Sequence, residues 1–420
     1  KELDFFISTS YGPGRYDASY EEYGVDYPHA YVRWTENRNM SSYLELIRDK
    51  NINVKQIIEK VYDINNAEEA FLQFEQEQKP LIVLLRYPCD NQPGKKVEFT
   101  KSTPTLKGNK QISVAIAGAG AFAKEMHLPN LFKLRDKYRI HAIMSRTGYN
   151  AKSIATQYNA KYATTDYDEL LNDKELDLIM ICSRHEQHTE MSLKAIKAGK
   201  AVFLEKPMAL TEPDLELMVD ELNKSSSPFM VGFNRRFSKY AVEAKKHIDK
   251  RVSPLFIHYR MNAGFIPSDS WIHKEGGRII GEACHIIDLM TYFTGSKIVS
   301  VNVESLTPSS EKYLSSDNKS IILKYEDGSL CTIEYFAIGS KLYPKEFCEI
   351  HFDEKTIILD DYKSIKGFGL NVEPVSSTKS EKGQYEELIE FFNVICSGNR
   401  YPIPLWDLEQ TTKISFIAGK

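Results

Sequence analysis

The sequence predicts an α/β protein in three parts. A small partial α/β segment comes first, then a doubly wound parallel sheet, then an α/β domain built on an open, mostly antiparallel sheet. Three observations predict this. Between Gln111 and Phe233, short apolar runs alternate with helical spacing, the grammar of parallel β-α-β units. After Asn234, strand-like runs follow one another without helices between them. Residues 1–100 carry only a fragment of either pattern.

In the first part, residues 5–8 form a β-like run ended by Tyr11-Gly12-Pro13-Gly14. Residues 40–50 have helical spacing, with Leu44 and Ile47 on one face. Residues 66–74 form a second helix, opened by Asn65 or Asn66 as a cap, and residues 81–85 a buried strand. Residues 88–109 hold Pro, Gly, Lys, Ser and Thr with little apolar content and read as a linker. The predicted division is 1–100, a connector at 101–110, a first domain at 111–233 and a second at 234–420.

In the first domain, strands are predicted at 112–117, 140–144, 176–182, 201–204 and 229–233, and helices from the first strand towards Arg135 and at 151–158, 191–198 and 214–223. In the second, strands are predicted at 255–261, 298–304, 320–324, 330–336, 347–352 and 356–359. Asp327-Gly328 makes a tight hairpin between two of them. Helices at 278–292 and 384–396 are available to cover that sheet.

The chain has 420 residues, 42% hydrophobic and 27% charged, with net charge −4. No long single-sign run appears, which speaks against nucleic acid or an anionic membrane as partner. No apolar stretch approaches the ~18 residues of a membrane span. The six cysteines include no CxxC pair and no Cys/His cluster with zinc spacing, so no metal site is expected. They read as reduced thiols of a cytoplasmic protein, Cys284 being the one with a place near chemistry. The chain starts at Lys1 and stops at Gly419-Lys420 just after an apolar run, and is expected to be part of a longer protein.

Five segments carry chemistry. Gly118-x-Gly120-x-x-Ala123 follows an apolar strand and opens a helix, the context of a dinucleotide fingerprint. Gly118 permits the turn, Gly120 lets a pyrophosphate reach the backbone, and Ala123 keeps helix and strand close; Ala121 and Phe122 complete the turn. At the tip of the second strand, Ser145-Arg146-Thr147 replaces the usual ribose-binding acid, and Arg146 suits adenine or a 2′-phosphate. The predicted coenzyme is therefore NADP or NAD, with NADP favoured. Ser183, His185 and His188 lie beyond the carboxyl end of a strand, where the crevice of such a sheet opens. Glu205-Lys206-Pro207 puts a lysine at the same edge, where a cationic nicotinamide would lower its proton affinity. His285 and Asp288 lie three apart on one helix face after Gly276-Gly277.

Taken in order, Ala115-Ile116-Ala117-Gly118-Ala119-Gly120, Glu205-Lys206-Pro207, Gly232-Phe233-Asn234-Arg235-Arg236-Phe237 and Gly276-Gly277 through His285-x-x-Asp288 resemble the Gfo/Idh/MocA oxidoreductases across residues 111–420. The resemblance implies a Rossmann domain followed by the open-sheet domain. It implies oxidation or reduction of a sugar, sugar derivative or cyclitol at a carbinol carbon. It makes Lys206 and His285 the catalytic pair. Asn234, Arg235, Trp271 and Asp288 become candidates for substrate binding, and the open sheet a surface for a homo-oligomer. Where the family often carries Asp, four residues before the histidine, this chain has Gly281. Two other activities go with the fold: a glycosidase reaction on tightly bound NAD with no net redox change, and non-catalytic nucleotide or sugar sensing. The presence of both Lys206 and His285 speaks against the second. Residues 46–54, 62–71 and 81–85 resemble the C-terminal end of medium-chain, zinc-type alcohol dehydrogenases, so the whole resembles bi-domain oxidoreductases. That first module lacks its own glycine turn here and is expected to be catalytically silent.

Overall fold

Apolar runs without alternation make strands that are covered on both faces, and alternating runs make strands with one wet face. Both kinds occur in the computed structural model, which describes residues 12–21, 25–76, 78–87, 95–99, 111–310 and 312–420. Two compact units separate, 1–93 and 94–420.

The first unit contains helices Ala18–Glu21 (α1) and Glu36–Arg48 (α2), strand Ile58–Asp63 (β1), helix Ala67–Leu72 (α3) and strand Ile82–Arg86 (β2). β1 and β2 pair in parallel around α3, a single β-α-β piece. The strand expected at 5–8 lies outside the described residues. The sequence pattern does not predict β1, because Ile58-Glu59-Lys60-Val61-Tyr62-Asp63 buries only Tyr62 and so shows no period. It predicts β2 as a buried strand, yet Leu84 is 42% exposed. A two-stranded sheet with one short crossover helix has too little cover for it.

The second unit opens with Lys96–Glu98 (β3), a strand inside the stretch that composition reads as linker. It pairs antiparallel with a sheet edge and is too short to show a period. Then come Ile112–Ala117 (β4), Leu128–Lys133 (α4), Tyr138–Met144 (β5), Gly148–Gln157 (α5), Tyr162–Thr164 (β6), Tyr167–Asn172 (α6), Leu178–Ile181 (β7), His188–Lys197 (α7), Ala201–Leu204 (β8), Glu212–Lys224 (α8) and Phe229–Val231 (β9). The sheet order is β3-β6-β5-β4-β7-β8-β9, parallel except at β3. Every residue of the central strands β4, β7 and β8 is buried between helical layers, and so is every residue of the edge strand β9.

The remaining elements are Lys239–Ile248 (α9), Phe256–Asn262 (β10), Trp271–Lys274 (α10), Cys284–Thr294 (α11), Ile298–Ser305 (β11), Lys319–Tyr325 (β12), Leu330–Phe336 (β13), Glu346–Phe352 (β14), Lys355–Asp360 (β15), Ser364–Phe368 (β16), Gln384–Ser397 (α12) and Leu405–Gly419 (α13). The second sheet runs β11-β12-β13-β10-β14-β15-β16, antiparallel except for β10 beside β13. β12 and β14 alternate strictly between buried and partly exposed positions, so one face packs and the other stays open. The Asp327-Gly328 hairpin forms as expected, with Gly328 at φ +89°.

One helix is not where the sequence points. Helical spacing at 384–396 suggests a cover for the antiparallel sheet. Instead Leu388, Phe391 and Val394 of α12 join the parallel-sheet core with Ile112, Ala123 and Phe203. The Tyr138 hydroxyl donates to the Leu388 carbonyl at 2.7 Å. The antiparallel sheet is covered by α9 and α11, through Tyr240, Ala244, Ile248, Ile286 and Met290. A helical stripe shows that a face is buried and says nothing of which sheet it meets.

After β9 the chain turns through Asn234–Phe237, and two adjacent arginines fasten that turn. Arg236 makes a two-pronged contact with Asp288 of α11, at 2.9 and 2.5 Å, and reaches Asp407 of α13 at 2.9 Å. Arg235 clasps Glu346 of β14 at 2.7 and 3.0 Å. Arg236→Met strands two buried carboxylates, and we expect it to cost about 3–5 kcal/mol in urea unfolding. A loss under about 1 kcal/mol would show that the clasp is not needed for stability.

Candidate active site

The glycine turn between β4 and α4 has one glycine that the protein needs and one that it does not. Gly118 sits at φ +96°, and a Cβ there would lie 2.6 Å from the Ser183 nitrogen, so this glycine lets the β4 and β7 loops touch. At Gly120 the nearest atom to an added Cβ is 4.0 Å away. Nothing inside the protein demands that glycine, which fits a position kept open for a coenzyme pyrophosphate. A helix runs unbroken through residues 121–133, with Ala123 fully buried and Phe122 46% exposed. Its free N–H groups face the same opening. At the tip of β5, Asn150 donates to both the Ser145 hydroxyl, at 2.8 Å, and the Ala119 carbonyl, at 2.9 Å. Ser145 is thereby tied to the glycine turn. Arg146 is exposed and makes no hydrogen bond or ion pair among the described residues.

The β7 loop divides its two histidines between roles. His188 is buried, and its ring nitrogens face the Pro207 carbonyl at 2.8 Å and the Ser183 carbonyl at 3.3 Å. The neutral ring has one N–H to donate, and both of its nitrogens lie against carbonyls of the β7 and β8 loops, so His188 joins those two loops. His185 takes a different course. Its backbone N–H donates to the Glu275 carboxylate at 3.1 Å, its ring Nδ1 faces the Glu275 carbonyl at 3.2 Å, and the ring packs edge-on to Trp271 at 5.2 Å. Arg184 lies over the other part of that indole, 4.1 Å from the ring centroid. Trp271 remains 42% exposed beside them. Burial lowers the His185 pKa to about 4. Ser183 lies beside Gly118 and keeps its hydroxyl near the Arg184 carbonyl.

Lys206 follows the carboxyl end of β8 and reaches the π-turn that leads into α11, the helix of His285. The Lys206 ammonium donates to the Gly281 carbonyl at 2.6 Å, where the chain widens to a π-turn over Ile279–Ala283 before α11. A Cβ at Gly281 would lie 3.1 Å from the His185 ring, so space favours glycine there. Glu282 turns elsewhere, to Lys345, Tyr335 and Arg278. His285 is buried with its Nδ1 unpartnered, edge-on to Phe233 at 6.0 Å. Burial first, then Arg235 and Lys206, hold its pKa well below the usual value, so the ring is neutral at pH 7. Cys284 points into the core, and burial pushes its thiol up to about 12.

Two of the residues that the sequence offers for substrate binding face inward. Asp288 is fully buried on Arg236, and Arg235 is committed to Glu346. Asn234 spends its amide on the Lys382 carbonyl at 2.8 Å. Glu205 is tied to His127, Oε1 to Nε2, at 2.6 Å under the glycine-turn helix. Glu387 of α12 completes a buried group whose ligand atoms lie within 4.8 Å of one another. The 2.6 Å contact is hydrogen-bond spacing, shorter than the roughly 3.3 Å between two ligands on one tetrahedral ion. Glu346, Lys382, Glu275 and His127 belong to the site's surroundings, and sequence reasoning misses all four. Glu346 starts a strand, Lys382 and Glu275 sit in loops and His127 inside a helix, with no local motif to mark them. No helix among the described residues is long and apolar enough to cross a membrane.

Residues 112–233 match the NAD-binding Rossmann domain of the Gfo/Idh/MocA oxidoreductases, and residues 252–358 match the C-terminal domain of the same family. This chain belongs to the Gfo/Idh/MocA family. It is an NAD-binding oxidoreductase of that family by both domains. The myo-inositol 2-dehydrogenase of Thermotoga maritima is 24% identical over 53% of this chain and 67% of its own length. The 4-carboxy-2-hydroxymuconate-6-semialdehyde dehydrogenase of Sphingobium sp. is 31% identical over 52% and 70%. Levoglucosan dehydrogenase, solved with NADH and levoglucosan, shares the fold with TM-score 0.65 at 19% identity, over 74% of this chain and 97% of that one.

His185 has a consequence for acid stability. Its folded pKa lies below 6.5, so folding favours the neutral ring. That contribution is present above pH 6.5 and is lost as pH falls from 6.5 to about 4. It is worth on the order of 3 kcal/mol. We expect His185→Gln to flatten the fall in thermal stability between pH 7 and pH 4; equal slopes in both proteins would overturn this.

Proposed function

We propose that the chain transfers a hydride between nicotinamide C4 and a carbinol or carbonyl carbon of a sugar, sugar derivative or cyclitol. The observation that carries the reading is the Lys206 ammonium, held on the Gly281 carbonyl in the π-turn that leads into the helix of a neutral, half-unpartnered His285. The coenzyme supplies the hydride acceptor. In the oxidising direction His285 takes the hydroxyl proton, and its lowered pKa lets it pass that proton on. Lys206 orients the hydroxyl and stabilises the alkoxide as it develops. Names among the relatives, inositol and levoglucosan dehydrogenases, support a polyol substrate. Exposed Trp271 offers a face against which a sugar ring packs.

NADP is the favoured coenzyme. Arg146, exposed and without a partner at the β5 tip, can take a 2′-phosphate through two parallel hydrogen bonds. The first part ends before β3, which joins the parallel sheet, and α12 of the last part packs on that same sheet, so the expected limits at 100 and 234 shift there. The first part, a single β-α-β piece among its described residues, is read as the end of an alcohol-dehydrogenase module from its sequence likeness alone. Phe256 and Phe368, 53% and 55% exposed on strands of the second sheet, support a homo-oligomer built there.

A coenzyme-reduction screen over sugars, nucleotide sugars and cyclitols tests the reading. Lys206→Ala should cut turnover by about 10² to 10⁴ and leave coenzyme affinity within a few-fold; near-native turnover removes Lys206 from the chemistry. Arg146→Ala should weaken NADP by about ten- to a hundred-fold. An equal loss for NAD would reduce Arg146 to an adenine platform.

A further inference from the structure

One charged cluster beside the cleft does not balance. Lys382 and Arg235 share a single carboxylate, Glu346. The Lys382 ammonium meets Glu346 Oε1 at 2.5 Å, and Arg235 grips both oxygens. The Tyr259 hydroxyl donates to Oε2 at 2.5 Å as well, so Glu346 has nothing left to offer. Nearby Lys345 adds another cation and is itself paired with Glu282. The cluster is deep: side-chain exposure is 1% at Glu346, 6% at Arg235 and 19% at Lys382. Lys382 is the member that keeps access to the outside. A buried cation without its own anion is unfavourable unless something else supplies the charge.

Lys382 is also held firmly in place. Its carbonyl accepts from Asn234, and the next residue, Gly383, has φ +92° with no room for a Cβ against the Asn234 carbonyl. The segment is thereby seated on the Asn234–Phe237 turn at the mouth of the cleft. Phe233, next to Asn234 in the chain, packs edge-on to His285 at 6.0 Å, which brings the segment seated on Asn234 to the His285 side of the site. Lys206 has a neutral carbonyl as partner in place of a carboxylate. Despite its contact with Glu346, Lys382 has a lowered pKa, chiefly from burial. Residue 382 lies beyond 252–358, the part matched to the C-terminal domain.

The geometry points to a substrate that carries a carboxylate, seated on the Lys382 ammonium while its carbinol carbon faces Lys206 and His285. This rests on the oxidoreductase reading above and narrows its substrate to sugar acids and carboxylated cyclitols. At Lys382 the surplus is one positive charge, which matches one carboxylate; the second unpaired cation, Lys206, faces the carbinol oxygen. A phosphate ester, near −2 at neutral pH, overshoots the Lys382 surplus. The carboxylate joins Lys382 on the side away from Glu346, and no bond is made or broken there.

Matched pairs decide the matter by binding rather than turnover. The NADH-saturated protein is titrated with glucose and glucuronate, galactose and galacturonate, and glucose 6-phosphate, following coenzyme fluorescence. In at least one pair the acid should bind ten-fold or more tightly than the neutral sugar. K382Q should close that gap, and K382R should keep most of it. If no acid outbinds its neutral sugar, or glucose 6-phosphate outbinds both acids, or K382Q keeps the preference while folded, the proposal is overturned. If K382Q does not fold, the native protein's preference and K382R decide. Binding of an acid that depends on Lys382, with no coenzyme reduction by any compound, would sink the hydride-transfer reading and leave this one standing.

Discussion

Two adjacent arginines carry the connection between the two sheets of the second unit. Arg235 and Arg236 leave β9 on one short turn and point to different parts of the fold, one to β14 and the other to α11 and α13. Each guanidinium is buried and each meets carboxylates. Planar two-pronged contacts of this kind fix angle as well as distance. The last strand of the parallel sheet is thus pinned to the helix that carries His285. That pin sets how Lys206, at the end of a strand of the first sheet, lies relative to His285 on α11.

Electrostatics in the cleft follow from the same turn. Arg235 stays near His285 even though its bonds go to Glu346, and helps burial hold the imidazole neutral. A neutral imidazole and an ammonium held by a carbonyl make a base and an electrostatic clamp side by side. The carboxylates stand aside: Asp288 is on Arg236, Glu282 on Lys345, Glu205 on His127. What remains open is positive, which is the physical basis for expecting acidic substrates.

The strong sequence signals are those that backbone chemistry imposes locally. The turn at Gly118 needs a positive φ and a close approach to Ser183, and nothing larger fits. The strand before it is buried throughout, and apolar but for Ser113, because helices cover both faces. Alternating residue types in β12 and β14 mark a sheet with one packed face and one open face. Weak signals fail in a consistent way. β1, β3 and β6 bury too few residues or are too short to show a period.

By itself the sequence determined the order of elements around the glycine turn and the two kinds of sheet, and it marked Lys206 and His285 as candidates. Each is a property of short segments, where spacing and chemistry speak directly. Tertiary structure alone decided the partners. It turned Asp288 away to Arg236, spent His188 on two carbonyls, moved α12 to the parallel sheet, and brought Lys382 to Glu346 across 36 positions of chain. A side chain's charge is written locally, but which opposite charge it meets depends on how distant segments pack, and no short pattern records that.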